Sequence, residues 1–282
     1  MIENRPWLTV FAHAVLILGV IIVALPIWLA FTASTHEGQA MMTGMAPLLP
    51  GGLLIENYST VLGSGMSGAG NVPVARMLLN SLVMALVVMA GKIAISIVSA
   101  FAIVYFRFPF RMLVFWTIFI TLMLPVEVRI LPTFKVVADL GLLNSYGGLT
   151  IPLIASATAT FLFRQFFLTV PEELTEAARV DGAGPMKFFR DILLPLSRTN
   201  IAALGVILFI FGWNQYLWPL LITTDESYYT IVMGIQRMVN VADSLPQWHM
   251  VMATAMLAMV PPVLVVVVLQ RLFVKGLVET EK

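Results

Sequence analysis

The sequence predicts an all-α membrane protein of six transmembrane helices, and three observations lead there. Of its 282 residues, 60% are hydrophobic and only 11% are charged, against about 25% charged in a soluble domain. Six segments, 8–31, 77–106, 112–133, 147–166, 200–222 and 250–273, are apolar over a spanning length, which is about 20 residues. The third observation is charge placement, because lysine and arginine gather in cytoplasmic loops. With the amino terminus inside, the inner side holds Arg5, Arg107, Arg111, Arg164, Arg179, Lys187, Arg190, Arg198, Arg271, Lys275 and Lys282. The outer side holds Arg76, Arg129, Lys135 and Arg237, and Lys92 is left inside a span. Both termini are therefore expected in the cytoplasm, with residues 1–282 forming a single transmembrane domain.

The first segment, Leu8 to Phe31, exceeds the 7–15 residues or so of a signal-peptide core and reads as a retained span. The outer segment 32–76 carries GSGMSGAG at 63–70, a composition expected to be flexible. Proline interrupts several spans: Pro125 and Pro132 in or near the third, Pro152 in the fourth, Pro261 and Pro262 in the sixth. Each frees backbone groups that a neighbouring helix or a cavity must satisfy. The outer segment 223–249 mixes polar and apolar residues. It suits either an ordered loop that touches a partner or a short helix capping the bundle.

The inner loop 167–199 has its own logic. Pro171 suits the first turn of a helix, and Glu172 and Glu173 complement the helix dipole. LTEAARV continues with good helix formers, Gly182 ends the helix, Gly184-Pro185 turns the chain, and MKFFRDILL can start a second helix. Such a helix–turn–helix can dock into a groove on a soluble partner. It can equally be a wet amphipathic hairpin.

The run Glu176-Ala177-Ala178, then Asp181-Gly182, then Ile192 and Leu194-Pro195, resembles the EAA loop of ABC-importer permeases. Asn80-Ser81, Arg164-Gln165-Phe166-Phe167, Trp213-Asn214, Trp218-Pro219-Leu220, Gln270-Arg271 and Gly276-Leu277 extend the resemblance, over nearly the whole chain, to the carbohydrate-uptake (maltose-type) branch. One departure is the ending VETEK, where many relatives carry Gly-Ala-Val-Lys-Gly.

The resemblance implies a type I ABC-importer permease fold in the bacterial inner membrane, with loop 167–199 holding a cytoplasmic coupling helix. Glu176 would be a polar contact to an ATPase, Ala177 and Ala178 a close-approach face, and Gly182 the turn. Asp181, Ile192 and Pro195 complete the matched positions. The implied partners are a sister permease in a heterodimer, two copies of a cytoplasmic ATPase and a periplasmic binding protein. The implied substrate is sn-glycerol 3-phosphate, with glycerophosphodiesters in view and a neutral, maltose-like sugar as the alternative. No cofactor is expected on this chain; ATP and Mg would sit on the ATPase.

The residues argue separately against a nucleotide site here. The only Gly-Lys pair is Gly91-Lys92, with Leu86 and Ile93 where a phosphate-binding loop needs glycine and a hydroxyl. An intramembrane enzyme is disfavoured as well. Cysteine is absent, His13, His36 and His249 stand apart, and neither HExxH nor GxSxG occurs. A channel would have no need of a docking helix.

Candidate substrate-pathway residues follow from ionisable and amide groups inside spans. Lys92 could offer a cation to a phosphate, pair with a carboxylate such as Glu127, or snorkel. Trp213, Asn214, Gln215 and Tyr216 could bind and stack on a polyol, or the amides could join helices. Glu127 and Arg129 read as a pair at the outer rim, and His13 as hydrogen-bonded within the bundle.

Overall fold

The computed structural model describes residues 6–38, 47–65, 72–121, 126–241 and 245–279, with the backbone alone at 6, 126–127 and 271–279. Among these residues the chain is helical without strands. The long helices are α1 (Pro6–Ser34), α3 (Val74–Tyr105) and α14 (Trp248–Glu279). These three are long and apolar enough to cross a membrane unbroken. Between them lie α2 (Leu54–Ser64), α4 (Arg111–Ile120), α5 (Val126–Asp139), α6 (Tyr146–Thr150), α7 (Ala157–Leu168), α8 (Glu172–Val180), α9 (Pro185–Phe188), α10 (Leu194–Leu196), α11 (Arg198–Trp213), α12 (Leu217–Ile222) and α13 (Ile231–Val239).

Two further spans are broken. Tyr146–Leu153 and Ala157–Leu168 meet at 46°, and Pro185–Leu196 and Arg198–Trp213 meet at 70°. Counting each bent pair as one gives up to five spans among the described residues. The expected segment 112–133 is the remaining one. It holds α4, 10 residues long, or about 15 Å at 1.5 Å per residue. Residues 122–125, and with them Pro125, lie outside the described residues.

The chain divides into two compact units, Met1–Arg76 with Gly234–Val260, and Met77–Met233 with Pro261–Lys282. In the first unit, the end of α1 is tied down by the segment that follows. Asn57 Nδ2 donates to the carbonyls of Ser34 and His36 at 2.9 and 3.0 Å. Thr32 Oγ1 donates to Pro47 O at 2.7 Å, and Trp28 Nε1 to Leu48 O at 3.0 Å. Helix α2 is absent from the sequence reading, which saw only the glycine-serine stretch; most of that stretch falls outside the described residues. His13 bonds the Thr9 carbonyl of its own helix at 2.7 Å and is exposed, so its partner is local rather than across a bundle.

In the second unit, α3 supplies the polar groups that the interrupted helices need. The break at residues 154–156 follows Pro152. Ser96 Oγ donates to the Ser156 carbonyl at 3.2 Å, which also accepts from Thr160 N at 3.1 Å, and Ser156 Oγ caps α7 by accepting from Ala159 N at 3.3 Å. Gly91 lies under the same break: a Cβ there would stand 2.6 Å from Ile154 Cγ2, so only glycine lets the two segments meet.

At the other end of α3, fully buried Asn80 donates to Ser227 O at 2.8 Å and Tyr229 O at 2.9 Å, and accepts from the Tyr146 hydroxyl at 2.7 Å. Ser81 Oγ accepts from Ile231 N at 2.8 Å. Beside them, the Ser227 backbone and hydroxyl both donate to Asp225, at 2.9 and 2.8 Å. These bonds hold the Asp225 carboxyl below the usual carboxylate range, the backbone bond foremost. Segment 226–231 is therefore a cap seated on the bundle end, followed by α13.

Asn80→Leu is expected to remove three hydrogen bonds of a buried side chain, at roughly 0.5–1.5 kcal/mol for each. A lower thermal unfolding midpoint of the purified protein in detergent checks this; an unchanged midpoint would contradict it.

Candidate functional site

Loop 167–199 folds as a hairpin of two short helices. Pro171 stands at the N-cap of α8, and Glu172 and Glu173 occupy its first turn. Its carboxyl end closes with a paired motif: Ala183 N donates to Ala178 O at 2.8 Å, and Gly182 N to Arg179 O at 3.0 Å. The pattern requires a left-handed residue between them, and Gly182 has φ +72. Space is not what demands glycine here, because a Cβ at 182 would meet nothing within 4 Å. The turn disfavours side chains by conformational strain rather than by collision. Pro185 then begins α9, and a widened turn over Phe189–Leu193 leads into α10. It precedes Pro195, which cannot donate back along the helix.

The hairpin has an inner and an outer face. Inward point Ala178, Phe188 and Leu193, at 4%, 5% and 0% exposure. They join Phe101, Phe163 and Phe167 in one apolar cluster, with Ile192 and Ala183 packed at its margin. Aromatic contacts bind the two parts: Phe101 to Phe189 at 4.7 Å, Tyr105 to Phe188 at 5.2 Å, Tyr105 to Phe167 at 6.1 Å. The second helix of the hairpin is thus rooted directly on α3 and α7.

Outward stand Glu176, Ala177, Asp181, Gly182 and Pro195. The expected close-approach pair is therefore split: Ala177 faces out, whereas Ala178 is committed to the chain's own core. Val180 and Met186 were not singled out in the sequence, yet they flank the turn with 88% and 70% of their surface exposed. Their signal was apolar character on either side of Gly182 in a charged loop.

A second feature is a cavity of about 620 Å³ lined by Lys92, Arg129, Phe211 and the hydroxyl residues Ser99, Thr117, Thr121, Ser156, Thr158 and Thr160. Lys92 is 8% exposed, with Nζ 3.9 Å above the centre of the Phe211 ring, a cation–π geometry. Gln215 reaches an adjoining pocket that Lys92 and Arg129 also line, and its Nε2 donates to Phe211 O at 3.1 Å. Arg129 therefore stands with Lys92, not merely at a rim; the side chain of Glu127 lies outside the described residues.

The four consecutive candidates of the fifth span do not act together. Trp213 is buried, stacks on Phe209 at 5.8 Å and lines a different, apolar groove with Pro261 and Leu264. Asn214 and Tyr216 bracket the break between α11 and α12. Of the sequence candidates, the structure brings Lys92 and Gln215 together.

Membrane helices broken beside a polar cavity, joined to a hairpin rooted on those helices, define a transport component rather than an enzyme. The chain belongs to the family of binding-protein-dependent transport system inner membrane components, whose description matches residues 92–279. Relatives align end to end with it, covering 100% of each chain. The sn-glycerol-3-phosphate transport system permease protein UgpE of Agrobacterium fabrum is 62% identical over 282 residues, that of Rhizobium meliloti 60% and that of Escherichia coli strain K12 57%. A chain of a bacterial ABC transporter involved in the import of the acidic polysaccharide alginate superposes with a TM-score of 0.80 at 21% identity. The match covers 96% of this chain and 98% of that one; at this identity it establishes the shared fold.

Gly182→Ala is expected to cost about 1–2 kcal/mol, the penalty of a left-handed L-residue, and Gly182→Asn less. Phe188→Ala should cost about 3–5 kcal/mol as a buried aromatic truncation. Thermal unfolding of the three variants checks the order; a Gly182→Ala loss as large as that of Phe188→Ala would mean that the turn, not the root, holds the hairpin.

Proposed function

We propose that the chain is the permease subunit of an ATP-driven importer for sn-glycerol 3-phosphate. It works as one permease domain and forms half of the translocation path, with a sister permease supplying the other half. Both termini and the 167–199 hairpin lie in the cytoplasm. Two copies of an ATPase bind ATP and Mg, and one receives the outer face of α8. Glu176 supplies a polar contact there, and Ala177, Asp181 and Gly182 form the surface around it. Ile192, packed against the apolar cluster, holds the second arm of the hairpin behind it, and Pro195 stands on the outer face with them. A periplasmic binding protein delivers substrate at the outer loops, and the path passes Lys92 and Gln215. Trp213, Asn214 and Tyr216 shape the broken span beside it.

The observation that carries the coupling is the rooting of the hairpin. Phe188 and Phe189 pack on α3, so a push on α8 reaches a spanning helix through aromatic contacts. The substrate rests on the end-to-end likeness to permeases of that transport system. On this reading the spans rock about the cavity between inward- and outward-facing states, as repeats do in other transporters.

The test is uptake into proteoliposomes holding the complete complex and its binding protein. ATP-dependent accumulation of sn-glycerol 3-phosphate, and none of maltose, is expected. Accumulation of maltose alone would keep the coupling and replace the substrate. Glu176→Lys should lower uptake more than tenfold, because reversing the charge of a polar interface contact leaves its partner group unpaired. Unchanged uptake with Glu176→Lys would remove this residue from the interface.

A further inference from the structure

The cavity beside Lys92 has an unusual balance of hydrogen-bonding groups. Its walls carry two cations, Lys92 and Arg129, and no acidic residue among the described lining residues. Like charges in one partly desolvated cavity disfavour each other, and an ionisable residue inside a span marks a pathway by default. An anion entering between them relieves both costs.

The hydroxyl groups add a second constraint. Thr117 Oγ1 donates to Leu113 O at 2.9 Å, Thr121 to Ile118 O at 2.6 Å and Thr160 to Ser156 O at 2.9 Å. Each hydroxyl has a single hydrogen, and these three are given to their own helices. What they turn to the cavity are acceptor lone pairs. Gln215 likewise uses an amide hydrogen on Phe211 O, leaving its carbonyl oxygen to accept. The wall thus offers strong cationic donors at Lys92 and Arg129 and neutral acceptors at Thr117, Thr121, Thr160 and Gln215. Its complement is a ligand with an anionic end and several hydroxyl donors.

We propose that Lys92 and Arg129 form one subsite for the phosphate monoester of a small polyol, whose hydroxyls are received by the oxygens of Thr117, Thr121 and Thr160. Arg129 can meet a phosphate with two parallel N–H groups, and Lys92 acts as a point charge over Phe211. The subsite makes this chain, and not its sister alone, a source of selectivity for the charged substrate. The inference rests on the glycerol-3-phosphate reading above.

The test uses the complete complex with unaltered binding protein, measuring initial uptake of sn-glycerol 3-phosphate per complex that co-purifies with its ATPase. If the unsubstituted complex does not take up this compound, the functional reading fails and this inference falls with it. If it does, Arg129→Gln and Lys92→Gln should each reduce uptake at least tenfold, the scale of a lost charge-assisted contact. Arg129→Lys and Lys92→Arg should each retain more uptake than the matching glutamine variant, since the charge is kept, while Arg129→Lys should still fall below the unsubstituted complex because the paired N–H geometry is lost. Arg129 is exposed, so its variants test the subsite even where Lys92→Gln prevents assembly. Uptake unchanged in Arg129→Gln would overturn the proposal. So would recovery of uptake in the double variant Glu127→Gln, Arg129→Gln, which would assign Arg129 to pairing with Glu127 instead.

Discussion

The constraint on which this structure depends is that backbone polar groups inside an apolar layer must be paired within the protein. The chain breaks its helices at residues 154–156 and 214–216, and it folds an irregular cap over residues 226–229. Each break leaves carbonyls or amides that lipid cannot serve, and the cap at the bundle end is irregular as well. Helix α3 braces two of these places with side-chain hydrogen bonds, Ser96 at the first break and Asn80 and Ser81 at the cap. Trp218 serves another from the far side, donating to Gly148 O at 3.0 Å. A straight apolar helix studded with a few small polar groups thus permits the bent elements around it, and those bends open the cavity.

The same helix also connects the two functional features. Lys92 lies near its middle, while Phe101 and Tyr105 near its carboxyl end hold the hairpin. A displacement of the hairpin is resisted by buried ring contacts, and close-packed interiors transmit strain rather than absorb it. On the proposed reading, α3 is the member through which events at the ATPase reach the substrate. The breaks at its flanks are where adjacent segments can change angle without losing internal helix bonds.

Much of this was legible in the sequence, and the reasons differ from element to element. Composition is a bulk property, so 11% charge was enough to establish the solvent. The ends of α8 were legible because proline, paired glutamates and glycine each act locally, through the dipole and φ alone. The inward turn of Ala178 was not, since alanine suits either face and the choice was made by distant Phe101 and Phe188. The grouping of Trp213 with Gln215 failed for a related reason: the helix ends at Trp213, so neighbours in sequence stop sharing a face. Arg129 was read beside Glu127 because sequence shows only local partners, whereas its cavity is assembled from α3, α4, α5, α7 and α11. Helix α2 was masked by the glycine-serine run that follows it.

Gly91-Lys92 shows most plainly why residue type alone underdetermines chemistry. A phosphate-binding loop works because successive backbone N–H groups are free to point at one anion. At Gly91 the backbone is mid-helix, and its N–H groups are spent on carbonyls one turn earlier. The glycine is required for a different reason, the approach of Ile154, and that approach brings Pro152, Leu153 and Ala155 to the cavity wall beside Lys92. The lysine can then act only through its side chain, as a single charge in a shared cavity. On the proposed reading it meets substrate there, not nucleotide, and the energy of transport has to enter at the far end of the same helix, through the face of α8 that the core leaves uncovered.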